Sequence, residues 1–271
     1  MNYRDYIKAI LFDYDGTLIN FDYTVSDYTR KALDELKDKD YILGLSSGRP
    51  CFLALKCFID EFGEYPLDYI FGCNGAEMMN VRENRIDILY PVKAEDVVHI
   101  GKILDHPNIT LGIYDGQTFL VNKEVSNPII IEWMNKRNLT PVLFDYSKNT
   151  KDRSKILALS DPKDKDVVKP FLESADLGNC NGFFSSAICY EIAAKGISKA
   201  KSVEELAKVL DCDKKQIMTF GDMDNDLDML KVSTGVAMGN STKEVLDAIP
   251  LKTEAVDKKG IYEFLNKNGL I

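Results

Sequence analysis

The sequence contains few of the residues that build zinc sites, disulfide frameworks and histidine-based catalytic centres. Its 271 residues include two histidines and six cysteines, and no two cysteines have the Cys-x-x-Cys spacing of zinc ligands. Six cysteines in so long a chain also make a poor disulfide framework, so we interpret them as free thiols. Two histidines leave little room for Ser-His-Asp or Cys-His chemistry. Catalysis by this chain would therefore use carboxylates, lysine, hydroxyl groups or a metal ion.

Long apolar runs and an excess of positive charge are also missing. No apolar run approaches the roughly 20 residues that cross a bilayer, and Asp5 and Asp13 interrupt what would be the apolar stretch of a signal peptide. Acidic residues outnumber basic ones by 43 to 34, which gives a net charge of -9, and the basic residues are scattered. We therefore expect a cytoplasmic protein that binds neither nucleic acid nor a membrane.

Buried strands alternate with helices at the start of the chain. An apolar run at 9–12 ends in Asp13, and a helix follows from Ser26, its predicted N-cap, to about Lys39. Two further buried strands are predicted at 41–45 and 68–71. Strand, helix and strand at this spacing favour right-handed crossovers and a parallel sheet.

A different pattern occupies the middle of the sequence. Short strands and turn signals begin near Val81, and the clearest hairpin pairs 109–114 with 118–122 across Asp115-Gly116-Gln117. The other elements predicted in this region are helices at 126–137 and 163–174 and strands at 155–160 and 182–192. This alternation is typical of a separate α+β module.

The first pattern returns after Gly196. It predicts a helix to Leu210, a buried strand at 216–220, a helix from about Asn225 and a strand at 236–238. We therefore predict an α/β fold with a doubly wound, Rossmann-like parallel sheet in residues 1–80 and 191–271. Residues 81–190 form the inserted α+β module.

Polar residues follow the ends of the predicted core strands. Ligands of doubly wound sheets bind beyond the carboxyl ends of the strands, and this is where the sequence places its candidate groups: Asp13, Asp15, Ser46, Ser47, Asn74 and Asp222. Asp13 and Asp15 are two apart on an extended chain, so both carboxylates leave one face. Gly16 permits the tight turn that brings backbone close to a ligand.

Three interpretations compete for the acidic segment 222–228. A calcium loop is excluded because Leu227 stands where the sixth residue should be glycine and Ser233 where the twelfth should be glutamate. Acids that favour a helix start account for Asp224 and Asp228. We favour the third interpretation, in which Asp222 is a magnesium ligand at a strand end and the pair Asn225 and Asp226 faces the same pocket.

Taken together, five motifs resemble those of the haloacid dehalogenase superfamily in their usual order: Asp13-Tyr14-Asp15-Gly16-Thr17-Leu18, Ser47-Gly48-Arg49-Pro50, Asn74-Gly75-Ala76, Gly196-Ile197-Ser198-Lys199 and Gly221-Asp222-Met223-Asp224-Asn225-Asp226. More narrowly, the chain resembles the Cof-type phosphatases (type IIB, C2 cap), whose larger cap lies between the second and third motifs. The resemblance implies a Rossmann-like core, with the 81–190 module as a cap that selects the substrate.

The resemblance also implies roles for individual residues. Asp13 would be the nucleophile that becomes an aspartyl phosphate, and Asp15 the general acid and base. Magnesium would be held by Asp13, the backbone carbonyl of Asp15, Asp222 and Asp226, the last through water or Lys199. The phosphate-binding residues would be Ser47, Gly48, Lys199 and Asn225. Lys195 lies close enough to Lys199 to be the alternative phosphate lysine.

The resulting hypothesis is a magnesium-dependent phosphohydrolase of small phosphorylated metabolites, with sugar phosphates as the expected substrate class. One alternative is a phosphomutase of the phosphomannomutase type, which returns the phosphoryl group to its substrate. Another is a regulator that binds phosphorylated metabolites without turnover. The second motif departs from the usual pattern in having Ser47 where threonine is common, and the hydroxyl is retained.

Overall fold

The computed structural model describes residues 3–63, 67–116 and 118–271. The chain forms two compact units. One contains the described residues up to Asp87 together with Ile197–Ile271, and the other is Ile88–Gly196. The predicted insertion, residues 81–190, starts and ends a few residues earlier than the second unit.

The elements of the first segment are, in chain order, α1 (Tyr3–Tyr6), β1 (Ala9–Phe12), α2 (Asp27–Lys37), β2 (Ile42–Ser46), α3 (Cys51–Phe62), β3 (Tyr69–Gly72), β4 (Glu77–Asn80) and β5 (Arg85–Ile88). Those of the second unit are α4 (Ala94–Ile103), β6 (Thr110–Asp115), β7 (Thr118–Val121), α5 (Pro128–Asn135), β8 (Thr140–Leu143), β9 (Ile156–Leu159), α6 (Lys165–Ser174), β10 (Cys180–Phe184) and β11 (Cys189–Ala194). The chain then continues with α7 (Ala200–Val209), β12 (Ile217–Gly221), α8 (Leu227–Val232), β13 (Thr234–Ala237), α9 (Lys243–Ala248), β14 (Leu251–Lys252) and α10 (Gly260–Lys267).

The first unit is built on one eight-stranded sheet in the order β14-β13-β12-β1-β2-β3-β4-β5. β1 pairs in parallel with β2 on one side and with β12 on the other. The antiparallel pair β3 and β4 ends the parallel part on the β2 side. Because the chain moves outward from β1 in both directions, the switch point of the sheet lies at the carboxyl end of β1.

Apolar layers cover both faces of this sheet, which confirms the predicted doubly wound α/β fold. On one face, helices α2, α3 and α10 pack against strand residues such as Ile10 and Phe12, and the Phe12 ring stacks on Phe220 with centroids 5.6 Å apart. On the other face, α7 and α8 pack against Leu11 and Ile217. The strands bury both faces, so they have continuous apolar sequences instead of alternating ones.

The second unit contains a six-stranded sheet in the order β10-β11-β9-β6-β7-β8. The predicted hairpin is confirmed by the antiparallel pairing of β6 with β7, and Gln117 of its turn lies outside the described residues. The single strand predicted at 182–192 was wrong, because β10 and β11 form a hairpin there. Ser185 and Ser186 follow the first strand, and their backbone groups close the turn by hydrogen bonds with Cys189.

Candidate active site

Three buried carboxylates meet at the carboxyl ends of β1 and β12. Asp13 follows β1, Asp222 follows β12, and Asp226 ends the short 3-10 turn after it. Each offers an oxygen, and these oxygens lie within 4.8 Å of one another. Their exposed fractions are 6%, 0% and 0%. The parallel pairing of β1 with β12 thus brings together acids that are far apart in the sequence.

Lys199 lies among these acids and is itself 2% exposed. Its Nζ donates to Asp13 Oδ1 at 2.5 Å and to Asp226 Oδ1 at 2.6 Å. Lys195, the alternative considered from sequence, lies in the second unit and donates from Nζ to the backbone oxygen of Gly178 at 2.8 Å. Of the two lysines, Lys199 is therefore the one in contact with the acid cluster.

Two residues without a predicted role orient Asp222. Thr17 Oγ1 donates to Asp222 Oδ1 at 3.0 Å. Asn240 Nδ2 donates to Asp222 Oδ2 at 3.3 Å and to the backbone oxygen of Gly16 at 2.8 Å. Gly16 has φ +83°, and a Cβ there would collide with the Asp222 carboxylate. Glycine is therefore required at this turn by its conformation and by the acid beside it.

Asp226 also stabilises the backbone turn that holds Asp222. Its Oδ2 accepts the backbone N–H groups of Asp222 and Met223, both at 3.0 Å. The neighbouring Asn225 is exposed, so the turn that buries Asp226 leaves the Asn225 side chain at the surface. The structure therefore brings Asp226 and Asp222 together and gives Asn225 a different environment.

The Asp15 carboxylate is paired outside this cluster. Its side chain is 43% exposed, and Arg49 Nη2 contacts both carboxylate oxygens, at 2.7 and 2.9 Å. Arg49 Nε lies 3.3 Å from Asp15 Oδ2. Asp13 and Asp15 therefore leave the same strand end but have different partners, a lysine for one and an arginine for the other.

The loop after β2 packs against the turn after β3. Ser47 is 2% exposed, its backbone N–H donates to the Phe71 oxygen, and its Oγ accepts the Arg49 N–H at 3.1 Å. Asn74, in the left-handed region at φ 58°, donates its backbone N–H to the Ser47 oxygen. A Cβ on Gly48 would lie 3.5 Å from Asn74 Oδ1, a buried oxygen with no partner among the described residues. An amide acceptor with unused capacity thus lies beside the Ser47-Gly48 loop.

Burial and mutual repulsion alter the protonation of the cluster. Burial raises the pKa of Asp13 well above its ordinary value, and the charge of Asp226 raises it further, while Lys199 opposes both. Burial, together with Asp226, raises the pKa of Asp222 to about 7. Burial lowers the pKa of Lys199, but Asp13 and Asp226 more than offset this, so its pKa is raised. The cluster thus has three acids against one cation.

The contribution of Asp222 to the stability of the metal-free protein is expected to fall as pH rises from about 4 to 7. Asp222 has a higher pKa in the folded chain than the ordinary value of 3.8, so the folded state binds more protons than the unfolded state in that window. Its contribution is present at low pH and lost as pH rises through 7. Thermal unfolding with a chelator across this range measures the slope.

Asp222→Asn is expected to lack this downward contribution, so its stability should change more positively with rising pH than that of the unmodified protein. Asp228→Asn is the matched control, since Asp228 is an exposed acid six residues along the same segment. A slope in Asp222→Asn equal to that of the unmodified protein would contradict the assignment.

The cluster suits a hard divalent cation. All of its donors are carboxylate oxygens, which magnesium and calcium prefer. One lysine leaves the charge of three carboxylates incompletely balanced, and Asp222 is already held in place by Thr17 and Asn240. The residues present therefore fit a divalent metal site.

Comparison with known proteins identifies the family of this chain. The sequence model of the haloacid dehalogenase-like hydrolases matches residues 10–265, and the chain belongs to that family. The predicted family resemblance is confirmed, and with it the prediction of an enzyme.

Relatives match along almost the whole chain. The 5-amino-6-(5-phospho-D-ribitylamino)uracil phosphatase YitU of Bacillus subtilis is 24% identical over 98% of this chain and 98% of its own length. A haloacid dehalogenase-like hydrolase from Bacteroides thetaiotaomicron has a TM-score of 0.83 at 24% identity, covering 96% of this chain and 99% of that one. The HAD subclass IIB sugar phosphatase BT4131 has a TM-score of 0.77 at 22% identity, covering 97% and 100%. The two solved structures share the fold of this chain.

Among the described residues, no helix has the length and apolar character needed to cross a membrane.

Proposed function

We propose that this protein is a magnesium-dependent phosphohydrolase that acts on small phosphorylated metabolites, with sugar phosphates as the preferred class. The observation that carries the proposal is the contact of Lys199 with Asp13 at the end of β1, beside Asp222 and Asp226. A buried carboxylate next to a fixed cation and further acids matches what transfer of a dianionic phosphoryl group requires.

Asp13 is the proposed nucleophile. One of its carboxylate oxygens attacks phosphorus and forms an aspartyl phosphate, so that one slow displacement becomes two faster steps. Asp15 is the proposed general acid and base. Its carboxyl protonates the leaving oxygen in the first step and removes a proton from the attacking water in the second. The partial exposure of Asp15 supports this role, because both the leaving group and water must reach it.

Phosphoryl oxygens would be bound by Lys199, the Ser47 hydroxyl, the loop at Gly48 and Asn225. Magnesium would be held by Asp13, the backbone carbonyl of Asp15, Asp222 and Asp226, and it would offset repulsion between the phosphate and these acids. Lys199 already contacts two of the acids, so a phosphoryl group attacked by Asp13 would lie next to its ammonium group.

We assign substrate selection to the second unit, which corresponds to the cap of the family resemblance. Two relatives support phosphorylated, sugar-like substrates, since one is a 5-amino-6-(5-phospho-D-ribitylamino)uracil phosphatase and the other a sugar phosphatase.

Phosphate release from a panel of sugar phosphates, nucleotides and p-nitrophenyl phosphate, with and without magnesium, tests the proposal. We expect release that requires magnesium and is highest for a sugar phosphate. Conversion of one sugar phosphate into another without release of free phosphate would contradict the hydrolase assignment and indicate a phosphomutase. Binding without turnover across the panel would indicate a regulator.

A further inference from the structure

We propose that Arg49 is a positioning residue that holds the Asp15 carboxylate in the orientation needed for proton transfer. The inference rests on the proposed function, in which Asp15 is the general acid and base. Its basis is the two-pronged contact of the guanidinium group with both oxygens of Asp15, at 2.7 and 2.9 Å from Nη2 and 3.3 Å from Nε. A planar guanidinium fork fixes the plane of a carboxylate, which a single point charge does not.

Arg49 is itself held on several sides. Its Nη1 donates to Cys57 Sγ at 3.3 Å, and its guanidinium carbon lies 5.5 Å from the centre of the Tyr14 ring. Tyr14 is fixed in turn, because its hydroxyl donates to the Cys57 backbone oxygen at 2.9 Å. The Arg49 backbone donates to Ser47 Oγ and accepts from Cys73. The arginine is thus a rigid support rather than a mobile surface side chain.

Asp15 needs such a support more than the other acids do. Asp13 and Asp226 are buried against Lys199, and Asp222 is held by Thr17 and Asn240. Among the described residues, the side-chain contacts found for Asp15 come from Arg49 alone. Each carboxylate oxygen has two lone-pair positions, so the fork leaves capacity for the proton that Asp15 exchanges.

The two proton transfers define what the positioning must achieve. In the first step an Asp13 oxygen bonds to phosphorus, the bond from phosphorus to the leaving oxygen breaks, and that oxygen takes the Asp15 proton. In the second step water oxygen bonds to phosphorus, Asp15 takes a water proton, and the bond from phosphorus to Asp13 breaks. Arg49 takes no part in bond making and acts on both steps through the orientation of Asp15.

The test compares two leaving groups. A sugar alkoxide leaves only with a proton, whereas p-nitrophenolate leaves well without one, so a misplaced general acid slows only the first. In Arg49→Gln we expect kcat/KM for the best sugar phosphate of the panel to fall by about 10-fold to 100-fold. For p-nitrophenyl phosphate we expect a fall below about 3-fold. Because kcat/KM reports steps up to leaving-group departure, slower hydrolysis of the aspartyl phosphate does not obscure the comparison.

Two further variants complete the design. Arg49→Lys keeps the positive charge but loses the guanidinium fork. We expect a smaller loss of kcat/KM than in Arg49→Gln, again selective for the sugar phosphate. If Arg49→Gln does not fold, Arg49→Lys provides the test. Arg30→Gln is the matched control, because Arg30 also contacts an aromatic ring, Phe62, and a backbone oxygen, that of Glu61, away from Asp15. We expect it to leave both substrates unchanged.

Equal losses on both substrates, or no loss on the sugar phosphate, would overturn the role of Arg49 and leave the proposed function intact. If the unmodified protein released phosphate from neither substrate, the proposed function would fail and this inference with it.

Discussion

Asp13→Asn is expected to lower the rate of phosphate release at least about 1,000-fold on every substrate that the unmodified protein hydrolyses. The asparagine amide has nearly the same size as the carboxylate, but its neutral oxygen is a poor nucleophile and cannot form a stable acyl phosphate. Phosphate release at saturating magnesium measures the loss. Asp228→Asn, which changes an exposed acid nearby, should retain full activity.

The same variant is expected to remain folded, with an unfolding midpoint equal to or above that of the unmodified protein. Burial raises the pKa of Asp13, so its ionised form costs free energy in the folded state, and the neutral amide of Asp13→Asn removes that cost. The sign follows from linkage. The stability advantage of Asp13→Asn should be present at pH 8 and shrink at acidic pH, where Asp13 is protonated and neutral in the folded protein.

Phosphate release by Asp13→Asn at a rate close to that of the unmodified protein would exclude Asp13 as the nucleophile.

The position of Asp13 could be predicted because two local patterns coincide there. The apolar run 9–12 is too short for a helix and has no polar face, which indicates a strand buried on both sides, and a polar residue directly after it must lie at the sheet edge. The same argument applies to Asp222 after β12. The parallel pairing of β1 with β12 then brings the two acids together.

Partners that depend on contacts between distant segments could not be predicted in this way. Asn240 contacts Gly16 and Asp222, yet it belongs to the segment after β13, and no periodic pattern links it to either residue. Arg49 belongs to the second motif, but nothing in the local sequence indicates that its guanidinium group contacts Asp15, 34 residues earlier. Such contacts follow from the tertiary packing of loops, which local propensity does not encode.

The sequence pattern does not indicate helix α3, for a different reason. Helix α3 begins directly after Pro50 and has apolar residues on most of its surface, so its sequence shows neither a side-chain cap nor a clear polar face. A short apolar run of this kind does not distinguish helix from strand. The burial of Asp226 beside an exposed Asn225 depends on the tight 3-10 turn after β12, which no local pattern of the sequence indicates.

Lys199→Met is expected to be strongly destabilising as well as inactivating. Lys199 Nζ lies 2.5 and 2.6 Å from oxygens of Asp13 and Asp226, and its removal leaves buried carboxylates without their cation. Breaking a buried ion pair from one side costs about 3–5 kcal/mol, which in a chain of this size lowers the unfolding midpoint by on the order of 10 °C. Thermal unfolding in the presence of a chelator measures this loss.

Two conditions should reduce the loss. Magnesium would supply positive charge to the same carboxylates, and it should therefore raise the midpoint of Lys199→Met more than that of the unmodified protein. Acidic pH should also narrow the difference in unfolding midpoint between Lys199→Met and the unmodified protein. The raised pKa values of Asp13 and Asp222 let these acids become neutral while the chain is folded. A difference that stayed constant under both conditions would contradict the charge argument.

Lys195→Met provides the matched comparison, because the same side chain is removed four residues earlier. Lys195 donates to the Gly178 backbone oxygen at the surface of the second unit, so we expect little change in stability and full magnesium-dependent phosphate release. Equal losses in the two variants would mean that a general effect of removing lysine, rather than the buried acids, sets the stability. A large loss confined to Lys199→Met would follow from its position between Asp13 and Asp226, because the two substitutions are chemically identical.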